Sequence, residues 1–380
     1  MVVAFTMKPC PEVVGLKVVW YEAARGTSKE VHPWVAEIET KVIRGDAAFR
    51  AALKLKEEGF IPDVILAHPG WGESLFLKQV WPASKLIIYG EFHYSSAGGD
   101  VGFDPEFALN DPGDACRVQM KNVNNFLHFD LADAGVSPTE WQKSTFPEPF
   151  RSKIEVIHDG IDTNTIIPNK GVWLQMGPHR LTRDDEIITF VNRNLEPYRG
   201  YHTFMRALPS IFEQRPKARV LIVGGDAVSY GAKPPEGKNW KQIFLDEVKD
   251  RLDMSRVHFL GHVEYKYFIL LLQLSTVHVY LTYPFVLSWS LLEAMTCGCA
   301  IVASDTAPVR EAIHNEDTGL LIDFFKPEEL ATKVIGLLEN PVKRNKLGER
   351  ARAFAIANYD LKSVSLPRML ELIERVAANS

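Results

Sequence analysis

The stretch VHVYLTYPFVLSWSLLEAMTCGCAIVASD, residues 277–305, restricts the fold more than any other. Residues 277–283 are β-branched and aromatic, and read as a buried strand. Pro284 ends it, because a ring nitrogen has no proton to give a ladder. Residues 291–296 read as a short helix stopped by Gly298, and 300–303 return as the next strand. Such a strand–turn–helix leaves backbone N–H groups free at the strand's carboxyl end, where open parallel sheets bind phosphorylated ligands. Glu293 lies one turn into the helix, where a carboxylate can accept two ribose hydroxyls. Ser290 and Glu293 also have the S-x-x-E spacing of a capping box, which needs no ligand. Both readings stand at this point.

The same alternation fills the rest of the chain. Strands are expected at 2–6, 16–21, 64–67, 86–89 and near 134 and 154, with helices at 34–58 and 114–131. Turn residues crowd 159–185, including Pro168, Gly171, Gly177 and Pro178, and the domain boundary is expected there. A second series follows: strands at 187–191, 220–223, 257–260 and 320, a helix at 201–212, and three closing helices. At 380 residues, two doubly wound α/β domains are the natural architecture.

Composition excludes several classes. A net charge of −5 leaves no footprint for nucleic acid. Four cysteines (10, 116, 297 and 299) make no disulfide framework, so a reducing cytoplasm is expected. Cys297-Gly-Cys299 lacks the second pair or nearby histidines that a metal site needs, and small buried thiols are the better reading. No leader is visible, and the most apolar region, 267–295, is broken by Gln273, His278 and Pro284. The 34–58 helix carries Lys41, Arg44, Arg50, Lys54 and Lys56. Such a face leaves peripheral contact with an anionic membrane open, although a solvated face is the plainer reading.

Charged groups at strand ends are the chemical candidates. Arg193 follows the 187–191 strand and Arg199 comes six residues later, just before Gly200 and a helix. Two guanidinium forks there suit a diphosphate, although two surface arginines would look the same. His93 ends another strand and precedes a glycine-rich loop at 95–111. No two aspartates lie two apart, so a metal-chelating D-x-D is absent, as are G-x-G-x-x-G, P-loop and G-x-S-x-G patterns.

Together these residues resemble the GT-B glycosyltransferases of family 4, retaining enzymes that use nucleotide sugars. FVNRNLEPYRG is similar to the family's opening of the second domain, which implies diphosphate contacts for Arg193 and Arg199. The E-x7-E motif falls on Phe285 to Glu293, so Glu293 would hold the ribose while Phe285 replaces the first glutamate. The resemblance implies that Val286, Leu287, Ser288 and Trp289 line the phosphate and sugar. It assigns the base to the turn Gly261, His262, Val263, with Gly224 nearby. EFHYS resembles the strand–histidine element and implies that His93 faces the transferred sugar. Residues 2–6 align better with the family's second strand, so its first strand, loop and helix are expected to be missing; 2–6 then either fill the sheet's central slot or leave the first domain incomplete.

The resemblance implies two Rossmann-like domains facing a cleft, at 1–170 and 171–360, with a helix at 361–380 returning to the first. It implies a nucleoside-diphosphate sugar donor, an acceptor hydroxyl, and no metal or cofactor. The rival is a non-catalytic GT-B protein that binds a nucleotide or a partner subunit; Phe285 and the expected short N-terminus motivate it.

Overall fold

Apolar runs of four to eight residues become parallel strands when helices cover both faces of the sheet. This chain does so in each of two units. The computed structural model describes residues 1–108 and 111–378. The first unit comprises Met1–Gly102, Leu109–His158 and Pro367–Ser380; the second comprises Phe103–Ala108 and Asp159–Leu366.

In the first unit, β1 (Val2–Thr6) and β2 (Leu16–Trp20) form a parallel pair of their own. The long helix α1 (Ala36–Glu57) leads to β3 (Val64–Ala67). Then come α2 (Leu77–Val80), β4 (Lys85–Tyr89), α3 (Asp114–Phe129), β5 (Ala134–Ser137), α4 (Glu140–Ser144) and β6 (Ile154–Val156). Strands β3 to β6 make a parallel sheet in sequence order. β1 has no ladder partner in that sheet among the described residues, so residues 2–6 do not fill a central slot in it.

The second unit opens with an antiparallel hairpin, β7 (Trp173–Met176) and β8 (His179–Thr182), within the stretch read from sequence as turns. Its sheet then alternates with helices: β9 (Ile187–Asn194), α5 (Tyr201–Gln214), β10 (Arg219–Gly225), α6 (Trp240–Val248), β11 (Val257–Gly261), α7 (Tyr265–Leu274), β12 (Val277–Tyr280), α8 (Trp289–Thr296), β13 (Ala300–Ser304), α9 (Ala307–Arg310) and β14 (Leu320–Ile322). Helices α10 (Pro327–Glu339) and α11 (Pro341–Tyr359) close the unit, and α12 (Leu366–Ala378) returns to the first. The strand order is β11-β10-β9-β12-β13-β14, all parallel. The chain therefore reverses direction across the sheet between β9 and β12. The crevice beyond such a switch point is where doubly wound sheets take ligands.

The compact units divide at 158/159, whereas the sequence reading divides the domains at 170/171. Residues just past 158/159 are bound to the second unit: Ile161 N–H donates to the Tyr359 carbonyl at 2.7 Å, and Leu361 N–H to that of Ile161 at 2.9 Å. The return crossing comes at 366/367 rather than 361, because Asp360 caps a turn over Leu361–Ser365 first. Leu372 and Val376 of α12 then pack on Ile87, Ala134, Val136 and Ile157 of the first unit. Among the described residues no helix is long and apolar enough to cross a membrane.

Candidate functional site

The switch point of the second unit gathers most of the residues singled out above. β12 leaves the ladder at Tyr280, three residues earlier than the sequence reading, because other groups take over its backbone protons. Thr282 N–H donates to Ser304 Oγ at 3.0 Å and Tyr283 N–H to the Tyr198 carbonyl at 3.1 Å. α8 starts at Trp289 with Ser288 as its cap, whose Oγ accepts from Ser290 N–H at 3.3 Å. The Ser290–Glu293 capping box does not form. Glu293 is instead buried, and its Oε1 accepts the Tyr265 hydroxyl at 2.6 Å. Burial raises its pKa, against the lowering effect of that hydrogen bond.

Ser288 N–H, expected to face a phosphate, donates to the Tyr280 hydroxyl at 3.0 Å. The N–H groups of Val286 and Leu287 have no partner among the described residues. Trp289 is half exposed, and its indole N–H donates to Asp159 at 3.1 Å.

Arg199 is the centre of the site. A left-handed turn at Gly200 (φ 67°) starts α5, and a Cβ there would come 2.3 Å from Leu281 Cβ, so only glycine lets the two loops meet. Arg199 itself is 8% exposed. One guanidinium nitrogen donates to Thr282 Oγ at 2.7 Å and lies 3.4 Å from the Val286 carbonyl. The cation sits 5.2 Å from the Tyr230 ring and 5.8 Å from that of Phe285. No carboxylate lies within ion-pair distance of it among the described residues. A buried cation of this kind is costly without a counter-charge. Arg193, at the end of β9, is exposed.

Phe285, expected to line the donor site, is 5% exposed, its ring 5.2 Å from Tyr198 and 5.1 Å from Tyr230. It packs. The turns after β10 and β11 do come together: a Cβ on Gly225, next to Gly224, would lie 2.3 Å from His262 Nε2 and 2.7 Å from Asn194 Oδ1. His262 is exposed, between Gly261 and Val263.

Sequence reading passed over Glu196. Its buried carboxylate accepts N–H bonds from Ser229, Tyr230 and Gly231 at 3.2–3.3 Å, and so ties the loop after β10 to the Arg199 turn. The only clue was a glutamate directly before the Pro-Tyr-Arg-Gly run. Burial raises its pKa, in spite of those donors and Arg199.

His93 lies in the first unit, and its surroundings differ from the expectation. Its ring is 5.5, 6.3 and 5.9 Å from those of Phe126, Phe129 and Phe146. Nε2 is buried without a partner among the described residues, and burial lowers the ring's pKa. The turn after β4 directs the ring inward: His93 N–H donates to Thr145 Oγ at 3.2 Å. The ring is packed against phenylalanines, and His93 as a whole is partly buried.

Two groups have metal-ligand atoms. Cys297 and Cys299 are buried, and burial pushes the Cys297 thiol up to about 12, so it stays protonated. Asp104, Glu106 and His202 bring ligand atoms within 4.8 Å of one another. Glu106, however, already takes two guanidinium nitrogens of Arg206 at 2.7 Å, and Asp104 takes the Tyr283 hydroxyl at 3.0 Å. An ion-pair network accounts for that trio.

Comparison with known proteins covers both units. Residues 1–166 match the family model described as glycosyl transferase family 4 group, and residues 173–354 that of glycosyl transferases group 1. An uncharacterized glycosyltransferase of Methanocaldococcus jannaschii is 28% identical over 190 residues, which is 50% of this chain and 45% of that protein. The chain thus spans about half the length of that relative. The fold resembles sucrose-phosphate synthase from Thermosynechococcus elongatus with a TM-score of 0.73 at 17% identity, covering 100% of this chain and 89% of that one. Anabaena HepE, solved with UDP, gives a TM-score of 0.64 at 16% identity over 94% of this chain and 86% of its own. Both likenesses establish a GT-B fold of two Rossmann-like domains.

Proposed function

This chain belongs to the group 1 glycosyl transferases, and on that premise we propose that it moves a sugar from a nucleoside diphosphate to an acceptor hydroxyl, with retention of configuration. The observation that carries the proposal is Arg199. A guanidinium 8% exposed, with no ion pair among the described residues, at the switch point of a parallel sheet is complementary to a diphosphate. Arg193 supplies a second, exposed fork, and the N–H groups of Val286 and Leu287 add donors. Glu293, held by Tyr265, accepts the ribose hydroxyls, and the turns at Gly224 and Gly261–Val263 meet the base through backbone groups. The UDP bound by HepE supports a uridine nucleotide as the first donor to try. The cysteine usage supports a cytoplasmic setting.

In this reading the acceptor attacks the face from which the diphosphate leaves, and the leaving phosphate takes the acceptor's proton. Charge grows on the leaving oxygen, where Arg199 is already desolvated and fixed in place, so little reorganisation is needed. The chemistry calls for no pair of carboxylates and no metal.

Burial of Phe285 favours a second reading, in which the nucleotide binds without any sugar recognition. One experiment separates the two. The chain is incubated with UDP-, GDP- and ADP-sugars and candidate acceptors while nucleotide release is followed. Release that disappears in Arg199→Ala supports transfer; tight UDP binding with no release from any donor supports the second reading.

A further inference from the structure

Residues 103–108 leave the first unit, pack in the second, and return. The donor reading makes no use of them. Their sequence, FDPEFA, puts two phenylalanines four apart around two carboxylates. The Phe103 ring lies 5.0, 5.4 and 5.1 Å from Tyr283, Phe324 and Phe325. Phe107 lies 5.1 and 5.3 Å from His202 and Trp240. Between these anchors Asp104 is 4% exposed. Its Oδ2 accepts the Tyr283 hydroxyl at 3.0 Å and faces His202 Nε2 at 3.1 Å, while Oδ1 accepts Glu106 N–H at 3.0 Å. Burial pushes the Asp104 pKa up, but His202, the Glu106 N–H and Tyr283 outweigh it and hold the carboxyl below its ordinary range. His202 Nδ1 is buried without a partner among the described residues, while Nε2 faces Asp104.

Tyr283 joins this strap to the site. Its ring is 4.8 Å from Tyr198, its N–H is bonded to the Tyr198 carbonyl, and the Thr282 beside it holds Arg199. We infer that Asp104 is a positioning residue for the donor loop: by accepting the Tyr283 hydroxyl it fixes residues 282–287, and so sets where Arg199 and the N–H groups of Val286 and Leu287 point. The donor role of that loop rests on the reading above; its ordering by Asp104 does not.

Hydrogen exchange on the full chain tests this, with UDP titration calorimetry alongside, for wild type, Asp104→Asn, Tyr283→Phe and the double variant. Each single variant should exchange about tenfold faster at 281–289, since a hydrogen bond to a buried charge is lost. UDP binding should weaken by about three- to tenfold, and Asp104→Asn should cost less in the Tyr283→Phe background than in wild type, because the two variants share the Tyr283 bond while Asp104 keeps His202 and the Glu106 N–H as further partners. Unchanged exchange at 281–289, or additive effects in the double variant, would overturn the inference. Should Asp104→Asn fail to fold, Tyr283→Phe, which removes a single oxygen, carries the same test. If wild type does not bind UDP, the donor reading fails, while the exchange result still decides the role of Asp104.

Discussion

The first unit pairs several of its charged side chains, whereas the second buries a guanidinium that makes no ion pair among the described residues. In the first, His68 meets Glu91 at 3.2 Å, Arg44 meets Glu73 at 3.7 Å, Lys41 meets Glu37 at 3.1 Å and Arg117 meets Asp114 at 3.1 Å. Its four-stranded sheet runs β3 to β6 without a reversal. In the second, the sheet reverses between β9 and β12, and Arg199 lies buried beside that point with no ion pair among the described residues, Glu196 acting on it only through space while its carboxylate accepts backbone N–H groups. A buried cation without an ion pair costs stability, so it persists where a ligand can supply the pairing charge. On the donor reading, a buried charge without an ion pair marks the ligand end of this molecule better than charge density does.

The sharpest way to break the comparison is Arg199→Met, which keeps the apolar stem and removes the cation. Turnover should fall by about 10²–10³, as when one preorganised donor is lost. The melting temperature should hold or rise, because an unpaired buried charge has gone. Steady-state kinetics and thermal melting check both halves; intact turnover with a large fall in melting temperature would make Arg199 structural. Arg199→Lys should lie between, keeping charge but not the fork.

A satisfied charge in the same unit should behave oppositely. Asp360 accepts Lys362 N–H, Ser363 N–H and Ser363 Oγ–H at 3.1, 2.7 and 2.7 Å, and also Thr163. Burial raises its pKa, yet those donors prevail and hold it at about 2. Since the folded value lies below the unfolded one of about 3.9, the ionised form stabilises folding by about 2 kcal/mol. That contribution is complete above about pH 5 and is lost as pH falls toward about 1. Acid unfolding of wild type against Asp360→Asn measures it: the variant should lose the dependence in that window and be the less stable protein at pH 7.

Glu293→Gln should weaken UDP by about tenfold, the scale of a hydrogen bond to a charged acceptor. Wild type and variant should bind 2′,3′-dideoxy-UDP alike in calorimetry. Equal loss for both ligands would mean that Glu293 only holds Tyr265.

The smallest effect belongs to the first unit. His93→Leu should leave turnover within about threefold and stabilise the unit by about 1 kcal/mol, since a buried unpartnered nitrogen is removed. A hundredfold fall in kcat with UDP affinity unchanged would return His93 to the sugar, and the contrast between the units would have to be redrawn.

What the sequence made legible was local. The apolar runs at 64–67 and 187–191 read as buried strands, and the Arg199–Gly200 pair before a helix pointed to a charged strand end. Both runs are strands, but only the second is buried throughout, since Leu66 is 48% exposed on the edge strand β3. What it hid were contacts between distant residues. Nothing near Ser288 shows that its N–H belongs to Tyr280, and nothing near Phe285 shows that Tyr198 and Tyr230 enclose it. The β7–β8 hairpin was missed because two four-residue strands around Gly177-Pro178 are too short for a period to show. The 95–111 loop reads as polar and open, yet six of its residues fill an aromatic groove far along the chain.

Those six residues limit how modular the protein is. Cutting the chain at 158/159 keeps the second sheet whole but removes the strap. A fragment of 159–366 would then present Tyr283, Phe324, Phe325, Trp240 and Phe244 to water on one face, a patch of the sort that drives self-association. Exchange of donor halves between relatives meets the same constraint, since the incoming half brings its own groove while the recipient keeps FDPEFA. A graft that includes residues 103–108 moves groove and filler together.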